Sequence, residues 1–165
     1  MSVTLDEFNS APDEASLRGA LADCCAAHSW VDRMISGRPY ADRAAVLVAS
    51  DVATASLDDI GVSEALAGHP RIGERAHDTW SRQEQAGVSD AGADVRARLA
   101  ECNAAYEIRF GHVYLVCATG RSAEELRAIC EARLANDAAT ERNVVLGELT
   151  KINRIRLDKL LGVEG

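Results

Sequence analysis

The chain has 165 residues, of which 47% are hydrophobic and 27% charged. That length supports one domain with a real core and is short for two, and the balance is that of neither a disordered nor a membrane-embedded chain. The net charge is −8, an acidic surface that repels phosphate backbones and argues against nucleic acid as a partner.

Helix signals begin at once. Thr4-Leu5-Asp6-Glu7 has the spacing of a capping box, in which the hydroxyl and the carboxylate each satisfy an otherwise unpaired backbone N–H. Ser10, with Pro12 after it, predicts the start of a second helix to about His28, with Leu17, Leu21, Cys24 and Cys25 inward. Ser29 predicts the cap of a short helix through Trp30, Met34 and Ile35, stopped at Gly37 and Pro39. Tyr40 to Ala55 reads as a helix with Ala44, Leu47, Val48 and Val52 inward, and Asp58 to Ala67 as another ending at Gly68. Pro70 then disfavours the α region at His69, which predicts a turn presenting its imidazole to a cleft.

His77 to Ala86 predicts a helix stopped at Gly87, and Ala91 to Phe110 a long one with Val95, Leu99, Cys102 and Tyr106 on one side. The stretch from His112 to Ala118 is apolar and lies between Gly111 and Gly120, so it predicts a short extended segment among helices. One such segment makes no sheet. Ser122 opens another capping box, and a last helix runs from about Ala138 to Leu161, ended by Gly162. The expected architecture is all-α: a single domain over residues 1–165, about seven to nine helices with one extended segment near 112–118.

Five cysteines, Cys24, Cys25, Cys102, Cys117 and Cys130, follow no zinc spacing and are expected to be reduced and mostly buried, in a cytoplasmic protein. The first residues lack the basic and apolar regions of a secretory signal, and no apolar run approaches a membrane span.

The last helix holds a misfit. At ~100° per residue, Val145, Leu149, Ile152 and Leu160 form one apolar stripe, with Arg156 in its middle and Arg154 on the opposite side. A guanidinium on a buried face must meet an anion: either a carboxylate of the chain itself, or a substrate carboxylate gripped in bidentate fashion. A second constellation is His77, Ser81 and Glu84, whose spacing of four and three residues puts them on one helix face; the alternative is a plain solvated face. His69 either bonds a carbonyl in its turn or does acid–base chemistry. His69, His77 and Asp78 lack metal-ligand spacing, so no metal site is expected.

Two stretches carry a resemblance: Gly68-His69-Pro70-Arg71-Ile72-Gly73 and Ser81-Arg82-Gln83-Glu84-Gln85-Ala86-Gly87. They resemble the signature of the 2-oxo-4-hydroxy-4-carboxy-5-ureidoimidazoline (OHCU) decarboxylases, ureide-pathway enzymes that make (S)-allantoin. Trp30-Val31, Arg38-Pro39, Tyr106 with Phe110 to Gly120, Arg133 to Asn136, Glu148 to Ile152 and Arg156-Leu157 continue the likeness in order along nearly the whole chain. His112 stands where many members carry Phe, and the loop from Gly73 to Ser81 is shorter than in some.

The resemblance implies an all-helical homodimer without cofactor, acting on a small ureidoimidazoline. It implies His69 as the catalytic histidine, assisted by Glu84, with Pro70, Ser81, Glu84 and Arg156 binding substrate and the backbone around Val116 and Ala118 contacting the ring. It also implies functional association with a hydroxyisourate hydrolase, fused to the decarboxylase in some relatives. The competing expectations are a hydrolase of a related ureide or hydantoin, and a non-catalytic helical binding module.

Overall fold

The computed structural model describes residues 1–74, 79–89 and 91–163. Among these it contains ten helices and no strand: α1 (Leu5–Ser10), α2 (Glu14–Cys24), α3 (His28–Ser36), α4 (Arg43–Ala55), α5 (Asp59–Ala67), α6 (Thr79–Glu84), α7 (Ala86–Ser89), α8 (Ala93–Phe110), α9 (Ala123–Arg133) and α10 (Ala138–Leu160). The all-α expectation holds. The chain divides into two compact units, one of Met1–Gly68 with Leu149–Gly165, the other His69–Glu148.

In the first unit, carboxylates rather than hydroxyls open most helices. Thr4 and Glu7 do form the predicted capping box of α1. Ser10, however, ends α1 instead of opening α2, and Asp13 caps α2 by accepting the Ser16 N–H at 3.2 Å. Asp42 and Asp58 do the same for α4 and α5, each accepting a backbone N–H at 2.8 Å. The start of α4 therefore falls at Arg43, not Tyr40.

α2 stops at Cys24, short of His28, because Cys25 is extended with φ −149°. Ser29 does not cap α3: its N-cap, Ala27, has no side-chain acceptor. Glu64 of α5 acts instead, accepting the His28 N–H at 2.9 Å and meeting His28 Nδ1 at 2.8 Å. The core of this unit includes Phe8, Leu21, Trp30, Met34, Val46, Leu149 and Leu157, all fully buried. Leu47 is buried as expected, but Ala44, Val48 and Val52 are exposed, contrary to expectation, and Val46, Ser50, Ala53 and Thr54 face inward in their place.

In the second unit the core is Ile72, Val88, Leu99, Tyr106, Tyr114, Val116, Leu126 and their neighbours. α8 ends at Gly111, whose φ of 77° is the left-handed conformation that glycine adopts without a Cβ penalty. The segment after it is neither helix nor strand, and it is buried from Tyr114 to Ala118. Buried backbone outside a helix or sheet needs other hydrogen-bond partners. Arg133 Nη1 donates to the Leu115 carbonyl at 2.6 Å, and Glu148 accepts the Cys117 N–H at 2.8 Å. The Tyr114 hydroxyl donates to the Leu126 carbonyl at 2.8 Å, tying the segment to α9.

The predicted helix from His77 to Ala86 is described only from Thr79, and it is two short helices rather than one. Gly87 does not stop it but lies inside α7. Its glycine has a packing cause: a Cβ there would collide with the Arg121 carbonyl oxygen.

Candidate active site

α5 ends where predicted, with Gly68 as its C-cap. His69 follows in a bend, half-buried, with Pro70 beside it. The next three residues are pinned, each by a different partner in the second unit. Arg71 forms a two-pronged ion pair with Glu107 of α8 and a further bond to Glu74 at 3.2 Å. Ile72 is buried, and its carbonyl accepts from Asn103 Nδ2 of α8 at 2.8 Å. The Gly73 N–H donates to Gln85 Oε1 at 3.0 Å. Gly73 itself has φ 91°, a conformation open to glycine and strained for other residues.

Gln85 directly follows α6, which carries Ser81 and Glu84. The Gln85–Gly73 bond thus joins the segment after His69 to the end of that helix. Ser81 is buried, at 2% exposure, and Glu84 is half-buried. The plain solvated face is therefore not what this helix presents at Ser81. His77 and Asp78 lie outside the described residues. Among the described residues, no group of three or more His, Cys, Asp or Glu is arranged to hold a metal.

Val116 and Ala118, at 3% and 4% exposure, sit in the buried segment whose alternate residues supply the anchored backbone groups. The anchor itself is a buried polar cluster. The Arg133 guanidinium pairs with Glu141, which also accepts the Tyr106 hydroxyl and the Asn136 amide. The guanidinium also lies 5.0 Å from the centre of the Tyr114 ring. Burial, and then the bond to Glu141, pushes the Tyr106 phenol well above its ordinary value. That phenol is held as a donor to the carboxylate.

Arg156 belongs to the first unit. It is 4% exposed, and Val145, Leu149, Ile152 and Leu160 of the predicted stripe are buried with it. Its Nη1 donates to the Asp23 carbonyl at 3.2 Å. Arg154 lies on the exposed side, as the helical wheel predicts, ion-paired with Asp51.

Sequence reasoning did not single out Gln85, Asn103, Glu107, Arg133, Glu141 or Glu148. Four of them had a signal. Asn103 falls on the buried side of α8 with Leu99, Cys102 and Tyr106, a polar misfit of the same kind as Arg156. Gln85, Arg133 and Glu148 stand inside stretches quoted for the resemblance.

Comparison with known proteins gives the class. The family model for OHCU decarboxylase matches residues 9–158, across both units, and the chain belongs to that family. It is 29% identical over 133 residues to the 2-oxo-4-hydroxy-4-carboxy-5-ureidoimidazoline decarboxylase of Amia calva, covering 76% of each protein. It is 27% identical over 145 residues to a uric acid degradation bifunctional protein of Arabidopsis thaliana, covering 83% of this chain but only 45% of that protein. Among solved structures, an OHCU decarboxylase determined in the presence of (S)-allantoin superposes with a TM-score of 0.75 at 25% identity, covering 86% of this chain and 96% of the other. An (S)-allantoin synthase shares the fold with a TM-score of 0.74 at 16% identity, covering 96% of this chain and 54% of the other.

Proposed function

We propose that this protein is a carbon–carbon lyase that decarboxylates 2-oxo-4-hydroxy-4-carboxy-5-ureidoimidazoline to (S)-allantoin in urate degradation. The observation that carries this is the family match over residues 9–158, supported by similarity to a decarboxylase solved with (S)-allantoin.

The chemistry suits a site without a cofactor. The substrate's carboxylate is on a ring carbon next to a C=N bond. When the bond to CO2 breaks, its electron pair enters that C=N and the nitrogen takes a proton. The hydroxyl on the same carbon then loses its proton to become a carbonyl, while the neighbouring carbon gains one. The substrate thus supplies the electron sink that a cofactor brings to other decarboxylations.

What remains for the protein is to orient the carboxylate and to move protons on one face. His69 is the acid–base group in this proposal, with Glu84 setting its tautomer or accepting the substrate proton. Ser81 and Arg156 anchor polar edges of the substrate, Pro70 packs beside it, and backbone at Val116 and Ala118 contacts the ring. Support for these roles comes from the family resemblance, the burial of Ser81 and Arg156, and the Gln85–Gly73 bond. Acid–base assistance of this kind contributes ~10²–10⁴-fold in rate.

We also propose that residues 1–165 act as one decarboxylase domain, as a homodimer, in the cytoplasm. The single family match over residues 9–158 supports the first, the resemblance the second, and five free buried cysteines the third. Association with a hydroxyisourate hydrolase fits the similarity to proteins named as bifunctional in uric acid degradation. The test is turnover of freshly generated substrate. Release of CO2 with appearance of (S)-allantoin supports the proposal; release of a ring-opened acid without CO2 shows a hydrolase instead, and no change over the uncatalysed rate shows a binding module.

A further inference from the structure

Val116 is 3% exposed, yet its backbone N–H and C=O make no hydrogen bond to any described residue. Buried main-chain groups are nearly always paired, so a donor and an acceptor left open on one buried residue call for a reason. Ala118, the other residue proposed to meet the ring, differs: its carbonyl already accepts the Arg121 N–H at 3.0 Å.

The two peptide units of Val116 are held by their far ends. Both are trans, and a trans peptide is planar, with its C=O and N–H pointing opposite ways. Arg133 Nη1 donates to the Leu115 carbonyl at 2.6 Å, so the Val116 N–H of the same peptide unit points away from the guanidinium. Glu148 accepts the Cys117 N–H at 2.8 Å, so the Val116 carbonyl points away from the carboxylate. These anchors flank Val116 along the chain but share a support. Glu141, which holds Arg133, and Glu148 are seven residues apart on α10, within ~20° of each other round the helix. The anchored groups therefore turn toward one face of α10, and both open groups of Val116 turn away from it.

We propose that Arg133 and Glu148 are positioning residues: by fixing the peptide units on either side of Val116, they hold its N–H and C=O as one donor–acceptor edge for the ring of the substrate. The inference rests on the proposed function and on ring contact at Val116, and adds what holds that contact in place. The ring's 2-oxo group accepts from the Val116 N–H, and a ring N–H donates to the Val116 carbonyl. Neither Arg133 nor Glu148 touches the substrate. Charge makes them effective. Hydrogen bonds to ionised groups are roughly twice as strong as neutral ones, and each bond polarises its peptide unit in the useful sense. The cation on the Leu115 carbonyl makes the Val116 N–H a better donor, and the anion on the Cys117 N–H makes the Val116 carbonyl a better acceptor.

Steady-state decarboxylation by the parent, Glu148→Ala, Glu148→Asp, Glu148→Gln and the double variant Arg133→Met with Glu141→Leu tests this, at a temperature where circular dichroism shows each to be folded. The ring edge is gripped equally before and during C–C cleavage, so its loss is a loss of uniform binding. KM should rise about tenfold in Glu148→Ala and in the double variant, with little change in kcat. Glu148→Gln, which keeps an acceptor oxygen, should recover most of the loss. Glu148→Asp keeps the charge but draws the acceptor back by one carbon. It should raise KM by a smaller factor, and it carries the test if Glu148→Ala does not fold. A purely structural role would lower melting temperatures and leave KM at the parental value in the folded variants, which overturns the proposal. So does a loss confined to kcat, or a Glu148→Gln no better than Glu148→Ala. A parent no faster than the spontaneous reaction overturns the function and this role with it, whereas an active parent with unchanged KM in the variants overturns the positioning role alone.

Discussion

Glu148, on α10, accepts the backbone N–H of Cys117 at 2.8 Å, and both groups are buried. Two separated parts of the family resemblance, the buried segment after Gly111 and the start of the Glu148–Ile152 stretch, are thereby in direct contact. Glu148→Ala leaves a buried N–H without its acceptor, at a cost of about 1–3 kcal/mol. Chemical denaturation should show that loss, and Glu148→Gln, which keeps an acceptor oxygen, should recover part of it.

The Arg133–Glu141 pair supports the other side of the same segment. Both side chains are almost wholly buried, so removing one strands the other's charge, at about 3–5 kcal/mol. Arg133→Met and Glu141→Leu should each destabilise strongly. The double variant should lose much less than the sum, because no lone charge remains. A denaturation cycle on the four proteins measures this, and strict additivity would show that the two groups act independently.

Gly87→Ala should destabilise the protein by ~1–3 kcal/mol, the usual cost of overpacking. The obstacle is backbone, the Arg121 carbonyl, which cannot rotate away as a side chain can. A melting temperature equal to that of the parent would show that α7 shifts freely.

His28 and Glu64 give a pH dependence with two limbs. The hydrogen bond to Glu64 and its charge raise the His28 pKa above the ordinary value of 6.5. Its contribution is therefore complete below that value and is lost as pH rises through the raised one. The bonds from His28 lower the Glu64 pKa below its ordinary 4.5. That contribution is present above 4.5 and is lost as pH falls through the lowered value. Stability from the pair should thus be greatest in the mildly acidic range between them. Melting temperature against pH should show both limbs in the parent, and Glu64→Gln should flatten both.

What the sequence made legible follows from what a single helix can reveal. Arg156 stood out because a charge in an apolar stripe contradicts its own helix, and it is indeed buried. The capping boxes at Thr4 and Ser122 were local in the same way. The cap of α3 was not, since its acceptor Glu64 is 36 residues from His28. Arg133 shares the buried face of α9 with Leu126 and Cys130, but its pairing with Glu141 was hidden because the two sit on different helices. Val48 and Val52 were misassigned for a different reason: α4 is apolar all round, so periodicity does not choose between its two faces. For the site, spacing put Ser81 and Glu84 on one helix face, and the resemblance gave them their roles. The brace on the His69 segment from Gln85, Asn103 and Glu107 needed three-dimensional information.

The most direct measurement of the central claim is the rate of (S)-allantoin formation from freshly generated substrate, followed by circular dichroism in the parent and in His69→Asn. The account predicts rapid, stereospecific turnover by the parent. It predicts a fall of ~10²–10⁴-fold in the variant, with helicity unchanged. A variant that kept a near-parental rate and the same stereochemistry would contradict the role given to His69, and a parent no faster than the spontaneous reaction would contradict the function itself.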